Sequence, residues 1–203
     1  MKVISVVGLK GGAGKTSTAV PVAWEAAREG RTVLLDIDPT LSATQWVRAA
    51  GLEHDRLRLE TLAVEDLEDR VNALEDAGET EWVVIDTPQL KGDVVMIAAG
   101  VADLVVMPLH IGSGDIAQVV QTVGLLKLPR KVNPDLKAVA VLNHARTMTR
   151  QTRATRAEVE EAGLPVADTT IPFLELYVNA KGSKPNAKWW HFRDLWAELR
   201  GLL

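Results

Sequence analysis

The chain of 203 residues contains no cysteine. That absence excludes disulfide frameworks, iron–sulfur clusters, zinc ribbons and thiol catalysis together, and it is compatible with a reducing cytosol. Long apolar runs are missing too. The longest, such as Val94 to Val101, fall well short of the roughly 18 residues of a membrane span. Met1-Lys2 leads straight into a short apolar strand, so no targeting segment is expected. His54, His110, His144 and His191 show no ligand spacing, and no zinc site is expected. No repeat, low-complexity tract or linker divides the chain, which is expected to form one domain over residues 1–203. Hydrophobic residues at 47% and charged residues at 25% match a globular protein, which leaves disorder, collagen and coiled coil without support.

What is present is an uneven charge. The net charge of −4 conceals a front half, residues 1–125, with 10 Lys/Arg against 19 Asp/Glu, or −9, and a back half with 13 against 8, or +5. A basic back half points to an anionic partner. Its other reading is a solvated helix face.

Val3–Val7 is a continuous β-branched run, as in a strand buried on both faces. A glycine-rich turn follows, then a helix over Thr16–Glu29 that ends at Gly30. Further strands are expected at Thr32–Leu35, Leu57–Leu62, Trp82–Ile85, Leu104–Met107 (stopping at Pro108), Ala138–Leu142 and Val166–Ile171. Helices are expected at Thr44–Ala50, Val64–Ala77, Val94–Ala99, Ile116–Leu128, Thr149–Ala162 and Lys188–Leu203. Pro21 lies inside the first helix and is expected to bend it. Buried strands alternating with helices mean an α/β fold, a mostly parallel twisted sheet with helices on both faces. Ligands of such sheets sit beyond the carboxyl ends of the strands. There stand Gly8–Thr16, Asp36–Asp38, Asp86–Pro88, Pro108–Ser113 and Asn143.

Lys10-Gly11-Gly12-Ala13-Gly14-Lys15-Thr16 follows a strand and opens a helix, the context of a phosphate-binding P-loop. Glycines let the backbone turn its N–H groups inward around a phosphate, and the helix N-terminus adds positive potential. Lys15 is expected to reach the β/γ-phosphates and the Thr16 hydroxyl to bind Mg²⁺. Leu9 stands where the strict G-x-x-x-x-G-K-[ST] pattern has its first glycine; what fits is the deviant form K-G-G-x-G-K-[ST], with a second lysine at Lys10.

On these residues, together with Asp36–Pro39 (DIDP), Val83–Pro88 (VVIDTP) and Val141–Asn143 (VLN), the chain resembles the ParA/MinD family of deviant-Walker P-loop ATPases over essentially its whole length. The resemblance implies ATP-dependent homodimerisation with two nucleotides sandwiched between protomers. Lys10 matches the signature lysine that contacts the partner's nucleotide. Lys15 and Thr16 match the P-loop lysine and the metal ligand, and Gly11, Gly12, Ala13, Gly14 and Ser17 complete the nucleotide cradle. Asp38 matches the carboxylate that positions the attacking water, Asp36 an acidic group near the metal, and Asp86 the Walker B aspartate. Asn143 matches an adenine-reading asparagine. The implied cofactors are ATP and Mg²⁺. Four departures stand out: Thr40 in place of the glutamine of the DxDPQ segment, Pro88-Gln89-Leu90 in place of Pro-Pro, His110-Ile111-Gly112 after Pro108, and Pro21 in the first helix.

Between Lys127 and Arg156 the chain carries eight Lys/Arg and one acid, Asp135. Arg146, Arg150, Arg153 and Arg156 fall at helical spacing, a stripe suited to phosphate contacts without base reading. The resemblance supports this, because ParA-type dimers bind duplex DNA nonspecifically. No helix-turn-helix extension precedes the P-loop, as in the short partition ATPases. In the tail, Trp189, Phe192, Trp196, Leu199 and Leu203 form an apolar stripe. A membrane-surface helix wants a Lys/Arg-rich polar face; this one carries Asp194 and Glu198, so packing on the sheet is expected and a membrane partner is not. The expected protein is a cytoplasmic, nucleoid-associated ATPase that segregates or positions DNA or another cargo, with a ParB-like protein stimulating hydrolysis. A MinD-like membrane-cycling ATPase and an ATP-dependent ligase on the same fold are the alternatives.

Overall fold

The computed structural model describes residues 1–89, 92–111, 116–145, 149–172, 182–186 and 189–203. Seven parallel strands form one sheet: β1 (Lys2–Val6), β2 (Thr32–Asp36), β3 (Leu57–Thr61), β4 (Trp82–Asp86), β5 (Leu104–His110), β6 (Lys137–Ala145) and β7 (Ile171–Pro172). Their order is β3-β2-β4-β1-β5-β6-β7. The chain leaves β1 for one edge, returns at β4, and crosses β1 to fill the other side. The carboxyl end of β1 therefore opens at the reversal of strand order, where such sheets bind ligands.

Period-two alternation divides the core into two layers. Ile4, Val6, Leu34 and Val84 face α1 (Lys15–Ala27), α2 (Ser42–Ala50) and the C-terminal helix α8 (Trp190–Leu202). Val3, Val33, Leu35, Val83 and Ile85 face α3 (Leu67–Ala77), α4 (Gly92–Gly100), α5 (Ile116–Leu125) and α7 (Arg150–Glu161). A short α6 (Pro129–Val132) leads into β6. The helix continues through Pro21, which is buried.

The expected elements form, with differences at their ends. The strand expected to stop at Pro108 runs on to His110, pairing Pro108 with Val141 of β6. A proline is tolerated there because of strand parity. The Val106 carbonyl accepts from Val7 N–H, so position 108 also turns toward β1, and the β1–β5 ladder has already ended at Val106. Pro108 thus removes no ladder bond. The helix expected over 64–77 begins as a 3₁₀ turn, Val64–Asp66, before α3. The strand expected over 166–171 reduces to a bridge from Val166 to Ala140 and the two-residue β7. Arg58 and Glu60, which break alternation in β3, sit on the sheet's outermost strand. There Glu60 accepts a two-pronged bond from Arg70 of α3 at 2.6 and 2.8 Å, an arrangement that holds Glu60 below the ordinary carboxylate range.

The tail packs on the core as its stripe demands. Trp189, Phe192, Leu195, Trp196 and Leu199 are all buried, and Trp196 meets Trp82 edge-on at 4.7 Å. Among the described residues no helix is long and apolar enough to cross a membrane.

Candidate nucleotide site

The loop between β1 and α1 is built on glycines that the backbone requires. Gly12 and Gly14 have φ of 75° and 95°, the left-handed region that costs a side chain about 1 kcal/mol or more. Gly14 caps α1 without any side-chain cap, and the first turn of α1 holds no acidic residue. The helix N-terminus is thereby left to an anion. Gly14 also has no room to spare, since a Cβ there would lie 2.4 Å from Asn143 Nδ2.

Two lysines leave this loop in different surroundings. Lys15 is buried, its Nζ 3.4 Å from the Lys10 carbonyl. Burial pulls its ammonium below the ordinary value, and the carboxylates of Asp86 and Asp38 oppose that pull. Lys10, next to Gly11 of the loop, is exposed.

Thr16 and Asp86 meet at one corner of the site, the candidate metal corner. The Thr16 hydroxyl donates to Asp86 Oδ2 at 2.7 Å. Burial pushes the Asp86 carboxyl up to about 7, with the Asp36 and Asp38 charges adding to the shift and the Thr16 bond and Lys15 opposing it. Asp86 Oδ1 is buried with no hydrogen-bond partner among the described residues. An acidic oxygen left unmatched beside a hydroxyl fits a hydrated divalent cation. Mg²⁺ therefore fits Thr16 and Asp86, where it would neutralise charge on the phosphates.

Asp36 stands beside Asp86 in register on the neighbouring strand, and both of its oxygens take hydrogen bonds. Its Oδ1 accepts the Asp38 N–H at 3.1 Å, and its Oδ2 accepts both the N–H and the hydroxyl of Thr44, at 2.8 and 2.7 Å. Both oxygens are thus engaged. Leu41, the N-cap residue of α2, has φ of 53° and no side chain that can cap. Asp36 supplies the missing acceptor from the preceding strand, and its charge suits the helix N-terminus. The result is a clamp on the segment that carries Asp38. Thr44 was missed by sequence reasoning, because nothing in its spacing marks it as a partner of Asp36.

Asp38 stands half-buried over the cleft. Its Oδ1 accepts the Thr40 N–H at 2.8 Å, which fixes the carboxylate. The cleft, about 550 Å³, is lined by Gly11, Gly12, Gly14, Lys15, Thr16, Ser17, Asp38, Pro39, Thr40, Ser42, Pro88 and Gln89. Ala13 is buried behind it. Asn143 lies beneath the loop, 3% exposed, its Nδ2 donating to the Ala13 carbonyl at 3.3 Å and to Thr18 Oγ1 at 3.4 Å. Here it braces the loop. Its Oδ1 is buried without a hydrogen-bond partner among the described residues.

The basic stripe divides. Arg150 and Arg153 are exposed on α7, whose Thr149 cap accepts the Thr152 N–H at 3.2 Å. Arg156 turns inward. Its guanidinium donates to the carbonyls of Val166 at 2.9 Å and Ala167 at 2.6 Å, and approaches Glu160 at 3.9 Å. Arg156 therefore ties α7 to the strand-like segment beside β6 and leaves the expected stripe. Arg146 lies outside the described residues.

A P-loop at the carboxyl end of a parallel sheet, with a hydroxyl, two carboxylates and a buried lysine converging on it, defines a nucleoside-triphosphate site. The family model described as CobQ/CobB/MinD/ParA nucleotide binding domain matches residues 4–185, and the chain belongs to this family, as a P-loop ATPase of ParA/MinD type. The maintenance of carboxysome distribution protein A of Halothiobacillus neapolitanus is 30% identical over 179 residues, spanning 87% of this chain and 82% of that protein. A chain of the MinC:MinD cell division protein complex of Aquifex aeolicus superposes with a TM-score of 0.79 at 16% identity, covering 99% of this chain and 96% of that one. Cobyrinic acid a,c-diamide synthase of Mycobacterium smegmatis, solved with an ATP analogue and magnesium, superposes at 0.71 with 20% identity, covering 97% and 92%. At these identities the two structures speak for the fold.

Proposed function

We propose that this chain is a positioning ATPase that dimerises around ATP, binds duplex DNA nonspecifically as the dimer, and releases it when a ParB-like partner stimulates hydrolysis. One observation carries the reading: the deviant P-loop keeps Lys15 buried inside its own site and leaves Lys10, next to Gly11 of the cleft lining, exposed. An exposed lysine there suits the phosphates of a facing protomer, where it acts as an arginine finger does, so that hydrolysis follows assembly. Within one site, Lys15 and the backbone N–H groups hold the phosphates, Thr16 and Asp86 hold the metal, and Asp38 orients the attacking water. Arg150 and Arg153, exposed on one helix, supply the phosphate contacts for DNA.

The cargo is DNA or another large body; a relative named for carboxysome distribution supports the wider class. The compartment in this reading is the cytoplasm, with nucleoid association following from DNA binding. Burial of the tail stripe favours this over membrane cycling.

The test is particle size and DNA binding with ADP against a slowly hydrolysed ATP analogue. A dimer that binds DNA only with the analogue is expected. A monomer in both states overturns the reading. ATP-dependent sedimentation with liposomes replaces it with membrane cycling, and carboxylate-stimulated ADP release without DNA binding replaces it with a ligase.

A further inference from the structure

Gln89 is one of the departures from the family pattern, and the roles assigned above leave it unused. It stands three residues after Asp86, at the carboxyl end of β4, and lines the same cleft as Lys15, Thr16 and Asp38. Its carboxamide lies close to the P-loop: a Cβ on Gly11 would sit 2.7 Å from Gln89 Oε1, 2.9 Å from Cδ and 3.1 Å from Nε2. Gln89 is also the only carboxamide among the described lining residues. Thr40 stands where the DxDPQ segment has its glutamine, and its hydroxyl is 3.0 Å from Ser42 Oγ. The cleft's amide thus comes from the β4 side.

We propose that Gln89 is a catalytic residue of the ATPase reaction, its carboxamide orienting the attacking water together with Asp38. The chemistry asks for such a group. Hydrolysis forms a bond from the water oxygen to the γ-phosphorus and breaks the bond from that phosphorus to the β–γ bridging oxygen. The bridging electron pair leaves with ADP, and the water proton passes to the released phosphate. A water is held for in-line attack by hydrogen bonds to acceptors that orient it. Asp38 has one oxygen occupied by the Thr40 N–H and one left to accept. The Gln89 oxygen accepts the second hydrogen, and its NH₂ donates to a phosphoryl oxygen. The inference rests on the ATPase chemistry and not on DNA binding, so the two can fail separately.

The experiment uses the full chain with Gln89→Ala, Gln89→Glu and, for comparison, Asp38→Ala. Single-turnover hydrolysis of ATP is measured beside affinities for ADP, for a non-hydrolysable ATP analogue, and for ADP with aluminium fluoride, which mimics the transferring phosphoryl group. Both Gln89 variants are expected to lower the rate on the order of 100-fold, as loss of an oriented hydrogen-bonding group does. For Gln89→Ala the ADP affinity should stay within about twofold, while affinity for ADP with aluminium fluoride falls with the rate. Glutamate keeps the size of glutamine but puts a negative charge in place of the donor, so its failure to rescue shows that filling the space does not suffice. An unchanged rate and an unchanged aluminium fluoride affinity would overturn the proposal. So would a loss of ADP affinity equal to the loss of rate, which would make Gln89 a brace of the loop.

Discussion

The P-loop cradle and the face of α7 both carry basic side chains, yet they are held in opposite ways. In the cradle, Lys15 is buried and surrounded by groups that answer its charge, namely the Lys10 carbonyl and the carboxylates of Asp86 and Asp38. Its place follows from a loop whose path only glycines take. On α7, Arg150 and Arg153 project from an exposed helix, while Arg156, one turn further on, is turned inward by two carbonyls. Spacing along a helix assigns all three arginines to one stripe, whereas the hydrogen bonds assign Arg156 to the fold. A constrained backbone determines where a side chain goes; a regular helix gives only its direction, and its neighbours decide the rest.

The largest effect that would break this contrast is at Lys15. Lys15→Ala should reduce ATP binding below detection by calorimetry, because a buried cation at the phosphates is lost. Unchanged affinity would mean that the cradle works through its backbone alone. The next test divides the arginines. Replacing Arg150 and Arg153 with Glu should remove DNA binding and leave the melting temperature and ATP affinity unchanged. Reducing the charge one arginine at a time should lower the salt slope by about one per phosphate contact. Arg156→Ala should do the opposite. It leaves two carbonyls without their charged donor, costs about 1.5–3 kcal/mol of stability by denaturant unfolding, and spares the salt slope. If Arg156→Ala weakened DNA binding with no loss of stability, the division of the stripe would be wrong.

The smallest effect is a pH dependence at the candidate metal corner. Asp86 is raised from 3.8 to about 7 in the fold. A carboxyl raised in this way contributes stability that is complete below its unfolded value and is lost as pH rises through about 7. Mg²⁺ needs the carboxylate, so below pH 7 its binding must displace a proton. The thermal stabilisation given by Mg²⁺ with ADP should therefore be weaker at pH 6 than at pH 8, with apparent affinity falling about tenfold per unit below 7. A flat profile would show that the buried Asp86 oxygen does not meet the metal.

Much of the site was legible because its parts are local. The P-loop lies within nine residues, from Gly8 to Thr16, between a strand and a helix that alternation and periodicity both announce. Asp38 and Asp86 follow strands, and parallel sheets bring strand ends together. The clamp between Asp36 and Thr44 was not legible, because Thr44 belongs to the next helix. The expected length of β5 was wrong because the ladder on the β1 side ends at Val106, which residue types do not reveal.

By itself, then, the sequence settled the parallel α/β sheet, the phosphate cradle and the order of the acidic groups, since each depends on backbone preferences written over a few consecutive residues. Only the tertiary structure turned Asp36 toward α2 and Arg156 toward Val166 and Ala167, and only it laid Gln89 against Gly11, 78 positions earlier in the chain. Those outcomes depend on which hydrogen-bond partners and which open spaces arrive from distant parts of the chain, and these exist only once the layers have packed.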